Sequence, residues 1–169
     1  VSGAIGTHID RTVGKEFSYR HADKSRLHLN RKFKCNHSKL PLQDAIKKRL
    51  EEGYKGKRAI RKDAVTFVTH VLTGSHKEMT DLAKDKDRFE EWIQKNYGFL
   101  EKEYGKENIV RFVLHMDEKT PHIHAVTVPL TEDGRLSARE VVGNRKDLMA
   151  LQDRYAENML EFGLQRGAS

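Results

Sequence analysis

The sequence predicts an α+β fold, an antiparallel sheet with helices packed on one face. Three observations carry that expectation. Two apolar runs, residues 109–114 and 122–129, stand a short turn apart, the pattern of an antiparallel strand pair. A third run rich in β-branched residues, 63–73, precedes them. Between and after these runs, apolar residues recur at helical spacing, and strands mixed with long helices make a layered sheet-and-helix domain.

Taken in order, residues 1–40 show weak periodicity and many Gly, Ser and basic residues, so an extended, loop-rich lead is expected. Residues 41–52 read as a short helix, with Pro41 suited to its first turn and Gly53 just past its end. The strand over 63–73 is broken by Gly74 and Ser75. From 78 to 104, Met79, Leu82, Phe89, Trp92, Ile93, Leu100 and Tyr104 predict one long helix against the sheet. Asp133-Gly134 marks a turn after the paired strands. Ser137 and Glu140 have capping-box spacing, although Val141, Val142 and Gly143 disfavour a long helix there. Residues 145–162 predict a final helix with Leu148, Leu151, Tyr155 and Met159 on one face, ended by Gly163. No internal repeat or low-complexity tract is present.

A chain of 169 residues suits one domain with a sizeable core. Its 37% hydrophobic and 34% charged residues suggest a soluble protein with a charged surface. No apolar stretch approaches the roughly 20 residues that span a bilayer, and no secretory signal is visible, so no membrane contact is expected. Cys35 has no cysteine to pair with, which excludes an internal disulfide and fits a reducing cytoplasm. The chain opens on Val1 rather than Met. A short native segment, and with it a strand, is therefore expected ahead of it.

The charge is unevenly spread. Residues 1–62 carry 17 Lys/Arg against 6 Asp/Glu, whereas the rest carry 15 against 19. The basic residues fall in two clusters, one with Arg26, Arg31, Lys32 and Lys34, the other with Lys55, Lys57, Arg58, Arg61 and Lys62. A solvated surface would account for a modest excess of lysine. This density instead points to a polyanion, because neutralised phosphates release counterions and drive binding.

The chemistry is concentrated in residues 115–124, His-Met-Asp-Glu-Lys-Thr-Pro-His-Ile-His. Side chains alternate along a strand, so His122 and His124 project the same way, and a paired strand ending at His115 brings a third imidazole beside them. Neutral imidazole is a common ligand for divalent transition metals, and three ligands leave positions open for water or substrate. Glu118, in the turn, is placed to be a fourth ligand, to orient water or to move a proton. Histidines on an exposed sheet face are the plainer alternative, but two spaced by one residue, with a third over an acidic turn, are hard to justify by packing.

His122-Ile123-His124 fits the histidine–hydrophobic–histidine pattern of HUH nucleases. The longer stretch from His115 to His124 resembles the third motif of the MobV-type plasmid mobilisation relaxases, the Mob/Pre or plasmid recombination family. Gly6-Thr7-His8-Ile9-Asp10-Arg11 resembles the family's N-terminal His-x-x-Arg motif. Residues 58–65 resemble the segment leading into the strand after the first helix, and 162–167 resemble the end of the catalytic core. The likeness spans nearly the whole chain.

The resemblance implies a single relaxase domain over residues 1–169 with an HUH palm and a metal site on the sheet, in a longer bacterial, cytoplasmic protein. Such enzymes nick one strand at a single-stranded or hairpin transfer origin by transesterification and stay joined to the 5′ phosphate, so the strand can be rejoined. Other mobilisation or coupling proteins would be further partners. Carried over by position, His115, His122 and His124, with Glu118 as acid/base or added ligand, would hold Mn²⁺ or Mg²⁺. His8 would be the nucleophile, and Arg11 would pair with phosphate or fix the local loop. Arg26, Asn30, Arg31, Arg58, Arg61 and Lys62 would contact DNA. Asn30 is followed by Arg31-Lys32-Phe33 where the family usually has Tyr-x-Leu, which leaves its role open. Tyr19 is the nearest tyrosine alternative to His8. His21, His37, His70 and His76 have no visible partner and read as structural or exposed. A DNA-binding module with an idle metal site is the competing function.

Overall fold

The computed structural model describes residues 2–166. Four strands form one antiparallel sheet in the order β1-β3-β4-β2: β1 Arg31–Lys32, β2 Val68–Leu72, β3 Ile109–His115 and β4 His122–Thr127. The central pair carries His115, His122 and His124. β3 and β4 run in register from Phe112↔Ala125 to His115↔His122, so the turn between them returns the chain directly beside His115. β3 is buried along its whole length, which is why its sequence is an almost unbroken apolar run rather than an alternating one.

On one face, Phe112, Leu114, Ile123 and Ala125 pack against Met79 and Leu82 of α3 (His76–Ala83), against Trp92, Ile93 and Leu100 of α4 (Lys86–Tyr104), and against Met159 of α6 (Arg145–Met159). This is the expected helical layer. The opposite face is not left to the histidines alone. There Val110, Val113, Val126 and Val128 pack against Ile9 of α1 (Ser2–Asp10) and against Leu42, Ala45 and Ile46 of α2 (Leu42–Gly53).

α1 replaces the loop-rich lead expected at the N-terminus. Gly3 and Gly6 lower helix propensity and mask the pattern. Tertiary packing overrides them: Ile9 is fully buried, and a Cβ on Gly6 would lie 2.9 Å from Cβ of Leu42. The glycine lets α1 and α2 approach. Arg11 then ends α1 in the left-handed region, at φ 48°.

The single helix expected over 78–104 is two. Ser75 and Glu78 form a capping box on α3, and the Asp85 side chain accepts the Arg88 backbone N–H to start α4. Asp85 thus competes with helix continuation, as short polar side chains do. β2 is shorter than the β-branched run that predicts it. Among the described residues it pairs only with β4, from Val68↔Thr127 to Leu72↔Ile123, and none of them forms a strand opposite residues 63–67. α2, α6 and the turn at Gly134 lie where expected, and a short α5 (Ala138–Val142) follows Ser137. Gly167, with which the C-terminal motif ends, lies outside the described residues.

Candidate metal centre

His115 ends β3 and His122 begins β4, and both point to the face that carries α1. The His115 Nε2–H donates to the Ile9 carbonyl at 2.8 Å, and the His122 Nδ1–H donates to the Thr120 carbonyl at 3.0 Å. A carbonyl can only accept, so these contacts set both tautomers. The remaining nitrogens, His115 Nδ1 and His122 Nε2, present lone pairs to each other across 3.3 Å. Glu118 adds a third acceptor, its Oε2 lying 3.1 Å from His122 Nε2. One donor atom from each of the three residues lies within 4.8 Å of the others.

Three converging acceptors repel unless a cation lies among them, and two imidazoles with a carboxylate are a fitting ligand set for Mn²⁺ or another divalent ion. Burial pushes the His115 pKa down to about 4, so its ring is a neutral ligand at neutral pH. Burial alone would raise the Glu118 carboxyl; cationic neighbours, Arg11 among them, outweigh it and hold it below its ordinary range. It is therefore a carboxylate. His124 shares the same face but stands outside this trio, its ring centre 6.0 Å from that of His115 and its pKa pushed down by burial to about 3.

α1 brings His8 over the cluster, with ring centres 6.4 Å from His115 and 6.0 Å from His124. His8 Nδ1 lies 2.7 Å from the Ser18 carbonyl and must donate to it, which leaves the Nε2 lone pair free. The end of α1 is tied down twice. Asp10 takes a buried ion pair from Arg111 of β3, at 2.9 Å, and Arg11 turns its guanidinium onto Asp117 and Glu118. Arg11 Nη1 also donates to the His8 carbonyl at 2.6 Å.

The structure separates the remaining sequence-predicted residues. Asn30, expected on DNA, spends its amide on the turn: Nδ2 donates to Asp117 Oδ2 at 2.8 Å, and Oδ1 accepts the Met116 backbone N–H. Arg26 donates to the Met116 carbonyl, and Arg31 pairs with Glu90. Arg58, Arg61 and Lys62 are exposed in the loop between α2 and β2, where Arg61 pairs with Asp63. Tyr19 is buried, and its hydroxyl donates to the Thr12 carbonyl. Two residues that matter here were not singled out by the sequence. Asp117 is the buried anchor for Arg11 and Asn30, and its place beside Glu118 in the acidic turn was the available signal. His21 reaches Glu118 through irregular backbone that leaves no periodicity to read.

Comparisons with known proteins show what the chain is similar to. A family model described as plasmid recombination enzyme, Mob_Pre, matches residues 3–169. A plasmid recombination enzyme type 3 of Staphylococcus aureus is 40% identical over 174 residues, covering 99% of this chain and 41% of that protein. A type 1 enzyme of Staphylococcus aureus is 43% identical over 136 residues, covering 79% of this chain and 33% of the relative. The chain thus spans about two fifths or less of the length of these relatives. Among solved structures, the Mn-bound MobM relaxase domain in complex with plasmid pMV158 oriT DNA matches with a TM-score of 0.86 at 28% identity, covering 98% of this chain and 83% of that one.

Proposed function

Because this chain belongs to the plasmid recombination enzyme (Mob/Pre) family, we propose that it is the catalytic domain of a metal-dependent relaxase that nicks and rejoins one DNA strand at a transfer origin. The observation that carries the reading is the His8 ring, held over the acceptor cluster with its Nδ1 committed to Ser18 and its Nε2 free. In this mechanism Nε2 attacks the scissile phosphorus, an Nε2–P bond forms, and the P–O3′ bond breaks. The 5′ phosphate stays on His8, and the released 3′ oxygen takes up a proton. The covalent bond keeps the phosphodiester energy, so a 3′ hydroxyl can reverse the step.

His115, His122 and Glu118 would hold Mn²⁺ or Mg²⁺, with His124 beside them as a further ligand on substrate binding. When bound, the ion polarises the phosphate and offsets its developing charge. Glu118 acts as ligand rather than acid, since the Arg11 guanidinium beside it favours the ionised carboxylate. The Ser18 carbonyl fixes the His8 tautomer and accepts from the imidazolium that forms as Nε2 bonds to phosphorus, which is the role a carboxylate has behind other reactive histidines. Tyr19 is a poor rival, because its buried hydroxyl is engaged by Thr12. Arg58, Arg61 and Lys62, exposed in the loop between α2 and β2, suit backbone contacts to the incoming strand.

The test is relaxation of a supercoiled plasmid carrying the DNA that flanks this protein's own gene, with Mn²⁺ and with EDTA. Metal-dependent nicking that is lost in His8→Ala, with DNA binding retained, is the expected result. DNA and metal binding without nicking would move the assignment to a DNA-binding module.

A further inference from the structure

His21 touches both halves of this machinery. Its Nε2 lies 2.9 Å from Glu118 Oε1, and its ring lies nearly parallel to that of His8, with centres 5.2 Å apart and planes 23° apart. We propose that His21 is a positioning residue that ties the nucleophile to the metal-binding carboxylate. The proposal rests on the functional reading above for what His8 and Glu118 do.

The two oxygens of Glu118 have different neighbours. Oε2 faces His122 Nε2 and accepts from Arg11 Nη2 at 3.0 Å, so it is the oxygen aimed into the acceptor cluster. Oε1 turns the other way and meets His21. A donor on the outer oxygen stops the carboxylate rotating and keeps the inner one on the ligand position, which is how partners of metal ligands usually act. On the other side, His8 is pinned only at Nδ1, and its ring could still swing about that contact. His115 and His124 meet it at steep angles, 83° and 73°, and His21 supplies the flat wall.

The backbone around His21 is fastened to His8 and to Asp117, the neighbour of Glu118. Ser18, three positions before it, accepts from His8, and the Asp23 N–H, two positions after it, donates to the Asp117 carbonyl at 2.6 Å. His21 is therefore held in place by His8, which it positions, and by Asp117 beside Glu118. Its side chain is 47% exposed, so replacing it removes little of the core.

Two conservative variants separate its two contacts. His21→Phe keeps a flat ring and loses the N–H; His21→Gln keeps an amide donor and loses the ring. Mn²⁺ affinity of the metal-stripped protein is read by electron paramagnetic resonance without DNA. The adduct-forming rate is read at saturating Mn²⁺ on the plasmid substrate. His21→Phe should weaken Mn²⁺ binding by about 10-fold or more. His21→Gln should bind Mn²⁺ nearly as the parent does, yet form adduct several-fold more slowly. Wild-type behaviour of both variants beside an active parent overturns the proposal, as does an equal loss of both readouts with a lowered Tm. A parent that forms no adduct overturns the functional reading instead, and the Mn²⁺ measurement then decides the contact to Glu118 by itself.

Discussion

Arg11 grips Asp117 through two parallel bonds, Nε to Oδ2 at 2.9 Å and Nη2 to Oδ1 at 3.1 Å, joining the end of α1, which carries His8, to the turn between the two histidine strands. Both side chains are almost fully buried. Bidentate guanidinium–carboxylate geometry fixes direction as well as distance. It also holds Arg11 in its left-handed backbone conformation, which costs a non-glycine residue on the order of 1–2 kcal/mol.

Asp117→Asn should therefore lower stability by about 3 kcal/mol, because Arg11 loses its buried bidentate partner and keeps only its single bond to Glu118. Thermal melting would show a Tm lower by roughly 10 °C. An unchanged Tm would mean that the pair is not what joins α1 to the turn.

His70, on the opposite face of the sheet, contacts Thr127 Oγ1 at 2.9 Å, and burial pushes its pKa down to about 4 from 6.5. Between those values the unfolded chain binds a proton that the folded chain refuses. Stability is thus lost as pH falls from about 6.5 to about 4, by up to about 3 kcal/mol from this residue. His70→Gln should flatten that limb of the stability profile in urea titrations at pH 7 and pH 4.5. An identical slope in both proteins would contradict the assignment.

Stripped protein carrying His115→Ala or His122→Ala should lose Mn²⁺ affinity by at least about 10²-fold, because the acceptor trio loses a member. His124→Ala should lose less in the absence of DNA, since His124 stands outside the trio. Isothermal titration of the three variants ranks them, and an equal or larger loss in His124→Ala would require a different ligand set.

Gly6→Ala should cost about 1–3 kcal/mol by overpacking α1 against Leu42. Chemical denaturation measures it. A neutral substitution would show that α1 has room to shift over α2.

The sheet and the site were legible in the sequence to different depths. β3, β4 and their histidines could be read because strand alternation and a short turn fix which side chains meet. α2 and α6 were legible from spacing and end signals. α1 was not, since its glycines depress helix propensity while its reason to be helical, Ile9 and Gly6 against α2, is tertiary. The break at Asp85 turns on one side chain capping a helix that the apolar spacing alone would continue. Asn30 and His21 illustrate the same limit at the site. Each sits on irregular backbone, and each is assigned by partners in the turn after β3 that no local pattern announces.

In the proposed reaction His8 carries the DNA. The direct measurement is peptide mass spectrometry of the SDS-stable adduct formed with Mn²⁺ on the plasmid bearing this protein's flanking DNA. The account predicts that the peptide containing His8 bears the 5′ phosphate, and that EDTA abolishes the adduct. A nucleotide on Tyr19, or an adduct that survives His8→Ala, would contradict it.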